Sequence, residues 1–177
     1  GSGTPWIAVE SLYSMDGDFA PVADLAQIAD RYDAMLLIDE AHATGIWGPS
    51  GRGVAAALEG RPNVVTLHTC GKALGSEGAL VTASRVFVDF LVNRAPPFIF
   101  STAPSPLMAA AVRAALRIVA DEPERRERLT ALIAHAEHML APLGVTATGS
   151  QILPLIIGDD AATMARAAAL QARGFDV

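Results

Sequence analysis

A largely parallel α/β sheet is the fold class this sequence predicts, on three observations. Short, continuous apolar runs alternate with segments of helical periodicity. The runs lack the strict polar alternation of a sheet that faces water on one side, which predicts strands covered on both faces. Two residues of chemical interest, Asp39 and Lys72, come just after such runs, where open α/β sheets gather functional groups.

The elements follow in order. "WIAVES" (Trp6–Ser11) reads as a buried strand and "MLLID" (Met35–Asp39) as another. Between them, Val22, Leu25, Ile28 and Ala29 recur at helical spacing, with Pro21 at the expected start. "NVVTLH" (Asn63–His68) is a third strand and "GALVTA" (Gly78–Ala83) a short fourth. A helix over "SRVFVDFLVNR" is capped by Ser84, and "FIFS" (Phe98–Ser101) reads as a strand after the "APP" break. Two long helical patterns then flank Pro123, "SQILPLIIGD" reads as a strand, and a last helix ends at Gly174. The change of texture predicts a boundary near residues 118–125, with 1–120 part of a larger domain and 121–177 the start of a smaller α/β domain. The chain stops in what reads as another strand, so the sequence predicts a fragment.

Composition narrows the function classes. Of the 177 residues 51% are hydrophobic and 18% charged, ample for a packed core and too apolar for a disordered chain. A net charge of −6 argues against a nucleic-acid binder, which needs clustered cations. The arginines of "PERRERL" are interleaved with Glu124 and Glu127 and read as a solvated helix face. A single cysteine, Cys70, rules out an internal disulfide and fits a reducing compartment. No apolar segment reaches membrane-spanning length and no secretory signal is visible, so the expected location is the cytoplasm. No metal is expected.

The candidate chemistry lies in "DEAHATG" (Asp39–Gly45) and "LHTCGKALGSEG" (Leu67–Gly78). Together these suggest a nucleotide-hydrolysing site, an acid at a strand end with a phosphate loop. That reading fails because Ala73, not Ser or Thr, follows Lys72, and because the loop follows the acidic strand instead of preceding it. A second constellation is a carboxylate at a strand end, a histidine three residues on, and a distant lysine among small residues. Pyridoxal phosphate requires such groups: an amine to form an imine, a carboxylate to keep the pyridine nitrogen protonated, and donors for the ring oxygen and phosphate. Taken singly, Asp39 is better explained as a turn cap, His42 as a core or loop histidine, Lys72 as a solvated loop lysine, and Ser14 as part of the Asp16-Gly17 turn; only their joint arrangement favours the cofactor.

Four ordered segments, "ESLYSMDGDFAPVADLAQIAD", "LLIDEAHATGIWGPSGRG", "TCGKALGSEGA" and "PFIFSTAPSP", resemble the α-oxoamine synthases, fold-type-I pyridoxal phosphate enzymes of the class I/II aminotransferase group. The likeness continues into "SQILPLIIGDD" and is nearest the branch that condenses L-alanine with pimeloyl-coenzyme A, or the acyl-carrier-protein thioester, in biotin synthesis. The resemblance implies that Lys72 carries the cofactor as an imine, Asp39 faces the pyridine nitrogen and His42 the phenolic oxygen. It further implies that Thr69 contacts the phosphate, that Ser14 lies beside the ring, and that Ser101 and Thr102 reach the cofactor phosphate of the other subunit of a homodimer. The family's glycine-rich phosphate contacts, ring-stacking histidine and substrate-binding arginine have no counterpart in this chain. Cys70 and Glu77 depart from the family pattern. A thiol is small enough to pack at Cys70, and Glu77 is expected to be exposed or paired. Glycine C-acetyltransferase, 5-aminolevulinate synthase and serine palmitoyltransferase share most of the motifs. A non-catalytic partner subunit of the same fold is the alternative of a different class.

Overall fold

The computed structural model describes residues 3–177. Its centre is a four-stranded sheet, β1 (Trp6–Glu10), β2 (Met35–Asp39), β3 (Val64–Thr69) and β4 (Ala79–Thr82), in spatial order β1-β2-β3-β4. β1, β2 and β3 are parallel and β4 runs antiparallel along the far edge. The register aligns Glu10 with Asp39 and Asp39 with Leu67, so the carboxyl ends of three strands form one edge.

Side-chain alternation divides the sheet into two faces. Leu36 and Ile38 are fully buried, while Met35, Leu37 and Asp39 between them are only half-buried. The Leu36–Ile38 face packs on α1 (Val22–Arg31) through Ala26 and Ala29, with Ala34, Ala55 and Val64 completing the cluster. Small alanines let helix and sheet approach closely, and burial of these apolar groups is the main stabilising term. The other face corrects the expectation of two covered faces. Phe87 of α2 (Arg85–Arg94) lies against the Trp6 ring, at 6.0 Å between centroids. Beyond it, Ala8, Glu10, Tyr13, Leu37, Asp39 and Leu67 line an open cleft of about 370 Å³.

The helices follow their sequence signals. Ser84 accepts a hydrogen bond from Phe87 N at 3.4 Å and starts α2. Ser105, with Pro106 after it, starts α4 (Pro106–Asp121) by accepting from Leu107 N at 3.2 Å. Pro123 then breaks α4 from α5 (Glu124–Leu140), whose first turn carries Glu124 and Glu127. Asp159 caps α6 (Asp160–Gln171), accepting from Ala162 N at 2.7 Å, and Gly174 follows it at φ +89°. Arg125 pairs with Glu122 at the surface, as a solvated helix face requires.

Two expected strands are absent. "FIFS" begins inside a one-turn helix, α3 (Pro96–Ile99), because Pro96 and Pro97 suit a first helical turn and Ala95 O accepts from both Phe98 N and Ile99 N at 3.0 Å. "SQILPLIIGD" forms no strand. Pro154 removes a ladder donor, and the segment's polar groups bond instead to the turns after β1 and β2. Among the described residues no helix is long and apolar enough to cross a membrane.

Candidate active site

Three loops leave the carboxyl edge of the parallel strands. The loop after β1 folds back at once: Tyr13 N donates to Asp18 O at 2.9 Å and Gly17 N to Tyr13 O at 3.0 Å. Gly17 has φ +71°, and a Cβ there would meet Ile152 O at 2.5 Å, so this turn requires glycine. Ser14 is exposed at its tip, its N–H donating to Glu10 Oε2 at 3.0 Å.

The loop after β2 is a compact turn. Asp39 Oδ1 accepts from Ala41 N at 2.8 Å, so the turn-cap role is real. Its Oδ2 has no protein donor among the described residues and remains available. His42 is half-buried. Its ring has no hydrogen-bond partner among the described residues, while its carbonyl accepts from Gln151 Nε2 at 2.7 Å.

The loop after β3 is closed at its base, where Cys70 N donates to Gly78 O and Ser76 N to Cys70 O, both at 2.9 Å. Thr69 is half-buried at the strand end, and Lys72 is exposed at the loop tip. Lys72 is the only lysine in the chain, and its amine has neither an ion pair nor a hydrogen bond among the described residues. Thus Ser14, Asp39, His42, Thr69 and Lys72 share one edge of the sheet. Ser101 and Thr102 do not join them: both are exposed between α3 and α4, and the Ser101 hydroxyl donates to Pro97 O. Glu77 is exposed, as expected. Cys70 is buried against Leu74 and Val112, and burial pushes its thiol pKa up.

Residue-type reasoning missed Glu40. Its carboxylate is buried without a cation among the described residues and instead accepts three hydrogen bonds, from Ser11 Oγ at 2.7 Å, Val54 N at 3.1 Å and Ala55 N at 2.6 Å. Multiple donors offset the desolvation of a buried acid. Gly53 sits at φ +105° over this group, and a Cβ there would lie 2.6 Å from the carboxyl carbon. The visible signal was an acid directly beside Asp39 followed by the glycines of "GRG".

A second buried polar chain lies on the sheet face turned away from Asp39. Thr44 Oγ1 donates to Glu40 O at 2.8 Å, so it accepts from His68 Nδ1–H at 2.9 Å. His68 Nε2 is then the acceptor for the Thr66 hydroxyl at 3.0 Å. Burial lowers the His68 pKa, and the nearby acids Glu40, Glu59 and Asp39 only partly oppose this. Strand alternation puts His68 with Thr66 and Ile38, away from Asp39, so it is a structural histidine. Among the described residues no group of His, Cys, Asp or Glu side chains converges to hold a metal.

With this geometry established, known proteins give the chain a family. Residues 1–175 match the model of aminotransferase class I and II. An 8-amino-7-oxononanoate synthase from Anaeromyxobacter dehalogenans is 48% identical over 174 residues, 97% of this chain and 44% of that protein. The enzyme of the same name from Chromobacterium violaceum is 43% identical over 99% of this chain and 46% of its own length. The chain therefore spans less than half the length of these relatives. Among solved structures, serine palmitoyltransferase from S. paucimobilis with a bound PLP–myriocin aldimine superposes with TM-score 0.82 at 28% identity, over 90% of this chain and 43% of that one. The 8-amino-7-oxononanoate synthase of Francisella tularensis superposes with TM-score 0.78 over 97% of this chain and 52% of that one, and at 21% identity it shows the shared fold alone. The chain belongs to the aminotransferase class I and II family.

Proposed function

We propose that this chain is part of a pyridoxal phosphate-dependent acyltransferase that condenses L-alanine with pimeloyl-coenzyme A, or the acyl-carrier-protein thioester, to give 8-amino-7-oxononanoate. The observation that carries this reading is the sole lysine, unpaired at the carboxyl edge of the strand next to the one that ends in Asp39. The residues present fit the cofactor. Asp39 keeps one carboxylate oxygen free of protein donors, and the His42 ring and the Lys72 amine have no hydrogen-bond partner among the described residues. The names of relatives at 43–48% identity favour this branch over serine palmitoyltransferase, matched at 28%.

Pyridoxal phosphate, when bound, supplies a ring that accepts the electron pair left at the substrate α-carbon. Asp39 holds a proton on the ring nitrogen through its free oxygen. His42 donates to the ring oxygen and orients the ring. Thr69 takes part in holding the phosphate, and Ser14 lies beside the ring. Lys72 Nζ would tether the cofactor and, when its amine is free, would be the base that moves the substrate α-proton. Loss of coenzyme A and of carbon dioxide then completes the condensation. In this reading the protein is a cytoplasmic homodimer, and Ser101 and Thr102 reach the partner's cofactor phosphate. The exposure of both residues is compatible with that role. In this reading residues 1–120 belong to the larger domain and 121–177 begin the smaller one, a division that falls at the last residue of α4 and close to the Pro123 break.

The test is turnover by the full-length protein carrying this chain. L-Alanine with pimeloyl-coenzyme A should release coenzyme A, and Lys72→Ala should abolish that release. Faster release with glycine and acetyl-coenzyme A would assign the protein to another branch of the family.

A further inference from the structure

The segment 148–152 lies more than a hundred residues beyond the turn after β2, yet it is bonded to that turn. Gln151 carries the contact. Its Oε1 accepts from the Trp47 indole N–H at 2.8 Å, and its Nε2 donates to the His42 carbonyl at 2.7 Å. The two bonds fix the amide orientation, because only oxygen can accept from the indole and only nitrogen can donate to a carbonyl. The neighbouring Ser150 is fully buried, and its hydroxyl donates to Gly17 O at 2.8 Å in the turn after β1. Phe19 of that turn meets the Trp47 ring edge-on at 5.1 Å. Thr148 Oγ1 donates to Ile152 O at 2.7 Å and shapes the segment itself. Three chain segments thus meet at the Ser150–Gln151 pair, two of them carrying residues of the candidate site. By contrast, the His42 ring has no hydrogen-bond partner of its own among the described residues, so its placement depends on how its backbone is held.

We propose that Gln151 is a positioning residue that latches the 148–152 segment onto the turn bearing His42, so that docking of the later part of the chain sets the position of His42. This deepens the reading of His42 as a ring-orienting donor and rests on it for its functional meaning. The latch itself is a property of the cofactor-free protein.

The experiment uses the full-length protein and reads backbone amide exchange first. Amides of Ala43, Thr44, Ile46 and Trp47 are bonded within the turn and report its opening. Gln151→Ala removes both bonds and should speed their exchange about thirtyfold, while amides of β1, β2 and β3 keep their rates. Gln151→Glu retains the acceptor for Trp47 and loses the donor to His42, so it should open the turn as well. Trp47→Phe removes only the indole donor and should have a smaller effect. Wild-type exchange in Gln151→Ala, or acceleration spread evenly over the sheet, would overturn the latch. In the holoenzyme, Gln151→Ala should shift the pH titration of the cofactor absorbance band. Absence of any Lys72-dependent band in the wild type would sink the cofactor reading, and the exchange result would still decide the latch.

Discussion

The turn after β2 and the loop after β3 lie at the same sheet edge and are built in opposite ways. From Asp39 to Trp47 the chain is braced from several sides. Glu40 binds Ser11, Val54 and Ala55, Thr44 binds His68, and Gln151 holds the His42 carbonyl. From Cys70 to Gly78 the loop is pinned at its base and by buried Leu74, and Lys72 at the tip is exposed, its amine without a partner among the described residues. The contrast matches the proposed roles. A carboxylate that must hold a proton at one ring atom profits from being fixed, because electrostatic stabilisation works through preorganised groups. A lysine that must exchange a covalent bond and then move a proton needs a side chain free to swing. Stability should therefore depend on the acid turn, while activity depends on both.

Substitutions in the two regions should separate these dependences. Glu40→Gln turns an amide group toward backbone N–H donors at a buried site and should cost about 2–4 kcal/mol of unfolding free energy. Denaturant titration reads this directly, and a cost under about 0.5 kcal/mol would refute the clamp. Gly53→Ala forces a Cβ into the Glu40 carboxylate at a left-handed φ and should cost about 2 kcal/mol by the same assay. Retention of wild-type stability would mean the turn relaxes without loss.

A smaller effect belongs to His68. Its folded pKa lies below the unfolded value because burial disfavours the charged ring. The unfolded chain therefore takes up the proton first as pH falls. His68 contributes stability that is complete above about pH 6.5 and is lost as pH drops from there toward its folded pKa. Replacement by Asn should flatten the stability profile between pH 7.5 and 5.5, and an unchanged slope would count against the buried neutral ring. The smallest change is expected at Lys72: Lys72→Met should leave stability within about 0.5 kcal/mol while removing turnover. A large loss of stability would show that the loop depends on Lys72 after all.

Local pattern made much of this legible. The four strands are apolar runs bounded by turn residues, and α1, α4 and α6 announce their ends with Pro, Ser or Asp caps. The candidate acid and amine could be found because their residue types are chemically restrictive, and one ends a strand while the other follows the next. What failed needed tertiary knowledge. "FIFS" and "SQILPLIIGD" have strand-like composition, but β3 is already paired with β4, and the second segment engages Gly17 and His42. Phe100, 85% exposed, marks how little of the first segment's apolar surface this chain covers. Glu40 and Gln151 escaped notice for the same reason: their partners lie 14 to 109 residues away.

Under the proposed function Lys72 is the residue bonded to the cofactor. The most direct measurement is borohydride reduction of the full-length protein loaded with pyridoxal phosphate, followed by peptide mass mapping. One stable phosphopyridoxyl adduct is expected, on the peptide containing Lys72. An adduct confined to a lysine outside this chain, or none, would contradict it.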